Sequence, residues 1–182
     1  TVSIPESECS DGYNGGTPTP PTNPEFPIEV EDNKNYTYLF EDQWPLYGDY
    51  DMNDVIVEYN RAVSFDKKNQ VTKIVDTFTP VHDGAVFANA FAYQVDKGQF
   101  GKMTFSATTE GIHTESATSS IIVCPNVKQA IQKVYTITRE FTGGSFNKKD
   151  LKSYNPYIIV KYAEGQKGRT EVHLPKHEAT SL

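Results

Sequence analysis

The run 54–65 alternates with a period of two: Val55, Val57, Tyr59, Val63 and Phe65 fall on one side, and Glu58, Asn60 and Ser64 on the other. Successive side chains of a strand point to opposite faces, whereas a helical face recurs every three to four residues. This segment therefore asks for a sheet with one buried face. Residues 66–70 (Asp-Lys-Lys-Asn-Gln) are turn chemistry, and 71–79 reads as the returning strand of a hairpin. In 84–95, Phe87, Phe91, Tyr93 and Val95 alternate with Ala88, Ala90 and Ala92, so that strand is expected to be buried on both faces. Shorter candidates are 36–41, 100–108, 118–123, 134–141, 157–162 and 170–174; one short helix is expected over 126–133. The 11 Tyr and 10 Phe favour pleated, half-buried surfaces. Many short strands punctuated by Gly, Pro and Asn predict an all-β fold, an antiparallel β-sandwich or jelly-roll-like domain. No apolar run reaches the ~18 residues of a membrane-spanning helix.

The 182 residues suit one domain and a tail. Residues 5–27 hold six of the 11 prolines, together with Gly12, Gly15 and Gly16. Such a stretch buries too little apolar surface to fold and reads as a stiff, extended spacer. The expected division is a spacer over 1–35 and a β domain over 36–182. Because the sequence opens at Thr1 with no apolar leader, its start is expected to lie downstream of any targeting segment. Membrane attachment would then run only through an anchor further N-terminal. The two cysteines, Cys9 and Cys124, form no Cys-x-x-Cys. A free Cys9 and a buried Cys124 at a strand end are expected, with a Cys9–Cys124 disulfide as the alternative.

The net charge is −7, unevenly placed. Residues 36–60 carry six acids (Glu41, Asp42, Asp49, Asp51, Asp54, Glu58) and no Lys or Arg. Such a cluster repels itself unless something cationic neutralises it. No basic stripe or reader motif points to nucleic acid as a partner.

Within that stretch, Gly48-Asp49-Tyr50-Asp51-Met52-Asn53-Asp54 follows Glu41 and Asp42 across a loop. Calcium takes about six to eight oxygens in a flexible shell. Carboxylates at i and i+2, with a carboxamide at i+4, can turn their oxygens toward one centre in a looped backbone, and Gly48 permits a tight entry. If strands 36–41 and 54–65 lie side by side, Glu41 and Asp42 meet Asn53 and Asp54. The expected metal ligands are Glu41, Asp42, Asp49, Asp51, Asn53 and Asp54, and the expected cofactor is calcium. The loop is no EF-hand: counted from Asp49, the positions of that motif's glycine and final glutamate hold Asp54 and Asn60. Zinc would want His or Cys, and none lies nearby. The competing reading is an acidic turn whose side chains cap its own backbone.

Phe40-Glu41-Asp42, Trp44-Pro45 and 48–57 together resemble the signature of the LruC (DUF4842) domain. The strand with Phe87, Asn89, Phe91 and Tyr93 is similar to it too, as are 155–159 and 171–175. The resemblance covers about 36–180. It implies a secreted or lipid-anchored surface protein of Bacteroidetes-type bacteria, a calcium-binding loop, and a structural or adhesive role. Lys176-His177-Glu178-Ala179 departs from the family pattern, which continues past the end of this sequence; the resemblance thus implies a further C-terminal portion.

Trp44, Tyr47 and Tyr50 flank the loop. Exposed, they could stack on a sugar ring, giving a carbohydrate-binding alternative in which a glycan is the partner. A lone Trp is usually a buried anchor, so Trp44 is expected to pack beneath the loop. His173 and His177 are four apart, but Pro175 between them rules out a shared helical face. No Gly-x-Ser-x-Gly, His-Glu-x-x-His or phosphate loop is present, and no carboxylate pair is singled out for glycoside hydrolysis. The expectation is a non-catalytic extracellular module that meets a glycan or a surface protein.

Overall fold

The computed structural model describes residues 28–31, 35–45, 48–142, 146–165 and 168–180. The strands are β1 (Ile28–Glu31), β2 (Asn35–Phe40), β3 (Val55–Phe65), β4 (Val71–His82), β5 (Ala90–Gln94), β6 (Met103–Ala107), β7 (His113–Glu115), β8 (Ser120–Cys124), β9 (Tyr135–Phe141), β10 (Asn155–Ile159) and β11 (Glu171–His173). One helical turn, α1 (Lys97–Phe100), joins β5 to β6. A six-stranded sheet runs β3-β4-β9-β6, with β1 and β2 both paired to β3. A five-stranded sheet runs β11-β10-β5-β8-β7. Every pairing is antiparallel, and the two sheets close on one another as a sandwich.

The alternation of β3 is realised: Val55, Val57, Tyr59, Val63 and Phe65 are buried. Val55, Val57 and Tyr59 meet Phe78 and Ile137 of their own sheet and Phe91, Tyr93, Ile121, Val123 and Ile158 of the other, forming the inter-sheet core. The second sheet is buried on its outer face as well, where Ala90, Ala92, Ile122, Tyr157 and Ile159 cluster under Tyr162. That explains the uninterrupted apolar character of β5 and β8.

The period-two pattern of β4 and β9 also carries two charged side chains inward. Asp76 lies between Ile74 and Phe78, and Arg139 between Ile137 and Phe141; both are fully buried. The register pairs Ile74 with Arg139 and Asp76 with Ile137, which makes Asp76 and Arg139 diagonal neighbours on one face. Arg139 Nη2 donates to Asp76 Oδ2 at 3.0 Å. Asp76 also accepts from the hydroxyls of Tyr59 (3.3 Å), Tyr93 (3.1 Å) and Tyr154 (2.9 Å). This polar knot separates the main core from a smaller cluster of Val63, Phe65, Val71, Ile74 and Phe141.

Several boundaries differ from expectation. Strand pairing begins at Ile28, inside the segment assigned to the spacer. The helix expected over 126–133 is only a 3-10 turn, Val127–Gln129. Gln132 adopts a positive φ of 64° and gives its N–H to Pro80, so the turn cannot propagate. Helical geometry occurs instead at α1, where the Asp96 carboxylate caps Gly98 and Gln99, and β6 starts only at Met103. Residues 84–89 are not strand: Gly84 N–H bonds the carbonyls of Asn53 and Asp54, which ties this segment to the acidic loop. Cys124 is a free, buried thiol at the end of β8, and burial pushes its pKa up. Cys9 lies outside the described residues.

Candidate metal centre

The β2–β3 pair closes with Phe40 opposite Val55, and Phe40 is sunk in the core. Glu41 and Asp42 follow at once, so the anchoring of Phe40 pulls both acids inward, to 2% and 4% exposure. Trp44 N–H then bonds the Glu41 carbonyl at 3.1 Å and turns the chain over. Gly48 lies directly on the Glu41 side chain, where a Cβ would come within 2.7 Å of Glu41 Cδ. A side chain at 48 would therefore displace the carboxylate. Beyond it, Tyr50 and Met52 take left-handed φ values of 62° and 58°. Non-glycine residues in this region cost of order 1–3 kcal/mol each.

The result is a convergence of charge. One carboxylate oxygen from each of Glu41, Asp49 and Asp51 lies within 4.8 Å of the others. Asp49 and Asp51 face solvent, while Glu41 forms the floor beneath them. Glu41 Oε2 is buried and has no hydrogen-bond partner. Burial, hydrogen-bonding reach to the Asp54 carboxyl, and the charges of Asp54 and Asp49 push Glu41 up to about 7; the Met52 N–H pulls the other way. Two carboxylates within hydrogen-bonding reach must share either a proton or a cation.

Asp54 stands beside the cluster and accepts Asp42 N–H on Oδ2 at 2.8 Å. Asp42 and Asn53 serve the frame. The Asp42 carboxylate accepts Asn89 Nδ2 at 2.9 Å; burial raises its pKa, that hydrogen bond opposes the rise, and the neighbouring Asp54 carboxylate adds to it. Asn53 Nδ2 donates to Asp51 Oδ2 and steers that carboxylate. Of the six expected ligands, Glu41, Asp49 and Asp51 converge, with Asp54 adjoining. The donor set is all oxygen, fits a hard cation, and includes a buried oxygen left without a partner.

Sequence reasoning missed two contributors. Asn89 is fully buried and joins three segments: Nδ2 to Asp42, Oδ1 from Lys161 N–H at 3.1 Å, and its carbonyl from Val127 N–H at 2.9 Å. Asp83 sits at the end of β4 with Oδ1 buried and unpartnered, and its other oxygen is 3.3 Å from Lys128 Nζ. Burial raises Asp83, against the pull of Lys128. Its place next to the loop is set by the pairing of His82 with Ile56, which local sequence does not reveal.

Trp44 does not pack beneath the loop. It is 47% exposed and meets Tyr50, itself 54% exposed, edge to face at 5.6 Å. The space below the loop is taken by the Glu41 carboxyl, so Trp44 braces the loop from outside, and Tyr50 Oη donates to the Pro45 carbonyl at 2.9 Å. Tyr47 lies outside the described residues. His173 is held by Asn155 and Glu171 at 2.7 and 2.9 Å and stacks on Tyr157, whereas His177 lies on the rim of a different pocket.

The fold and the site together define an antiparallel β-sandwich whose first long hairpin carries an oxygen-rich acidic centre. Residues 69–182 match a family described as a domain of unknown function, DUF4842, and since that span exceeds half of the sequence, the chain belongs to this family. The matched span starts in the β3–β4 turn, so the acidic loop lies N-terminal to it. No curated protein and no solved structure matches the chain.

Proposed function

We propose that this protein is a non-catalytic, calcium-binding module of the bacterial cell surface, with a structural or adhesive role. The observation that carries the reading is the buried, partnerless Glu41 Oε2 at the floor of a cluster completed by Asp49 and Asp51. A buried ionised oxygen is costly unless it is paired or coordinates a metal. Calcium would neutralise the self-repelling 41–54 segment and crosslink the end of β2 to the start of β3. Extracellular calcium modules work at affinities of about 0.1–1 mM, which suits a site with two of three carboxylates exposed. The Pro/Thr-rich 5–27 stretch, read as a spacer, suits presentation away from a surface. An ion that binds only the native state raises stability by mass action. The test is thermal unfolding with and without chelator: calcium should raise the Tm, and an unchanged melt in metal-free protein would overturn the reading.

Carbohydrate binding at Trp44 and Tyr50 is the second reading, favoured by their exposure. Their perpendicular rings offer one stacking face rather than a flat platform. Methyl-glycoside titration of Trp44→Ala against wild type separates the two: only sugar binding needs the indole.

A further inference from the structure

The six-stranded sheet ends on β6, which pairs with β9 and with no other described strand. Thr108 N–H bonds the Thr136 carbonyl at 3.1 Å, and the register carries that phase back to Ser106 and Thr104, whose backbone groups face β9. Backbone groups alternate along an antiparallel ladder, so the N–H and C=O of Met103, Phe105, Ala107 and Thr109 point out of the open edge. Such a row is a template for a further strand.

The devices that usually block edge pairing are missing from β6. Its register with β9 runs without a bulge, and residues 103–109 (Met-Thr-Phe-Ser-Ala-Thr-Thr) hold no proline and no charged side chain. Met103 and Phe105 pack on the core from this edge but are only half-buried. The other edges are poorer templates. β7 and β11 have three residues each. β2 runs into Glu41 and Asp42 and pairs Thr37 with Glu58, so two copies meeting there would bring two acidic segments together.

We infer that β6 pairs antiparallel with β6 of a second copy of this chain, about a twofold axis at Ser106. Charge selects both the occupant and the register. Each copy carries −7, so two copies approach at least cost along a strand that is itself uncharged. Lys102 and Glu110 flank the neutral run. With the axis at Ser106, the Lys102 end of each strand meets the Glu110 end of the other. Position 103 then exchanges backbone hydrogen bonds with 109, and 105 with 107. Thr104 faces Thr108 on the outer face, and the two Phe105 rings become diagonal neighbours on the inner one. Opposite-charge, Thr–Thr and aromatic pairs are all favourable across strands. The contact is self-complementary, closes as a dimer, and joins the two six-stranded sheets into one.

This inference is independent of the calcium reading, and its test is run in chelator, which excludes association bridged by a metal. Seven edge residues cover less than the ~800 Å2 per partner of a standard interface, so sedimentation equilibrium of the whole protein should give a monomer–dimer Kd on the order of 0.1 mM. Ser106→Lys places two ammonium groups face to face on the axis and should weaken the dimer about tenfold or more, whereas Thr37→Lys on the β2 edge should not. A gain of signal guards against a variant that fails to fold. Directly opposed residues of a non-hydrogen-bonded pair have Cα atoms about 4.5 Å apart, within disulfide reach. In a Cys9→Ser background, Ser106→Cys should therefore give a disulfide-linked dimer on mild oxidation, and Thr37→Cys should not. A wild type that stays monomeric to about 1 mM would leave the edge to a strand of a different protein and overturn the inference. So would a Kd that Ser106→Lys leaves unchanged, or crosslinking at Thr37→Cys as ready as at Ser106→Cys.

Discussion

Arg139 Nη2 lies 3.0 Å from Asp76 Oδ2, and neither side chain exposes any surface. The pair sits between β4 and β9 in the middle of the inter-sheet core, and three tyrosine hydroxyls converge on the same carboxylate. Arg139 Nε and Nη1 are buried without partners, so the guanidinium depends on Asp76 for its charge balance. Removing one member of a buried pair leaves an uncompensated charge, at a cost of about 3–5 kcal/mol. Asp76→Asn should lower the unfolding free energy by about that amount, and adding Arg139→Gln should recover part of the loss. Equilibrium denaturant unfolding measures both. A loss below ~1 kcal/mol for Asp76→Asn would show that the knot is not needed for stability.

The acidic loop predicts an unusual pH dependence. Folding raises Glu41 from 4.5 to about 7. Between those values the native state holds a proton that the unfolded chain has released, so stability falls as pH rises through this window. In chelator, the Tm should be higher at about pH 5 than at about pH 7.5, once the Glu171 effect described below is subtracted with the Glu171→Gln variant. Glu41→Gln should remove most of that difference, and calcium at the higher pH should offset it in the wild type only. A pH dependence that is identical in Glu41→Gln would place its origin elsewhere.

Glu171 behaves in the opposite sense. Burial alone would raise it, but hydrogen bonds from His173 and Thr180 and the charge of Arg169 outweigh burial and hold it at about 2. Arg169 also reaches Glu115 at 2.7 Å and the Tyr157 hydroxyl at 2.8 Å, so one carboxylate fastens 171–180 to the second sheet. A depressed carboxyl contributes stability that is complete above its unfolded pKa near 4.5 and disappears as pH falls toward 2. Glu171→Gln should cost ~2 kcal/mol at neutral pH and flatten the acid limb of the stability curve below pH ~4. An acid limb that is unchanged in the variant would contradict this.

The sheet class was legible because β3 repeats with period two over its 11 residues, long enough to exclude a helix. The convergence of the acids was legible for a related reason. Once 36–41 and 54–65 pair, Phe40 must face Val55, and Glu41 is brought to Asp54. The burial of Glu41 was not legible, because it depends on Gly48 folding back over the carboxyl. The position of Trp44 followed from the same packing: the floor it was expected to fill was occupied. Asp76 and Arg139 each stand in the inward phase of their strands, but their meeting requires the β4–β9 register, a pairing across 63 residues. Helix α1 is a single turn of four residues, too short for any periodicity, and only the cap at Asp96 marks it.

The central claim, that Glu41, Asp49 and Asp51 form a calcium site, is tested most directly by calorimetric titration of the metal-free protein with calcium beside the pair Asp49→Ala, Asp51→Ala. The account predicts one saturable site that the two substitutions abolish while the fold, followed by circular dichroism, is retained. No calcium binding by the wild type, or binding that survives both substitutions, would reduce the loop to an acidic turn held by its own hydrogen bonds.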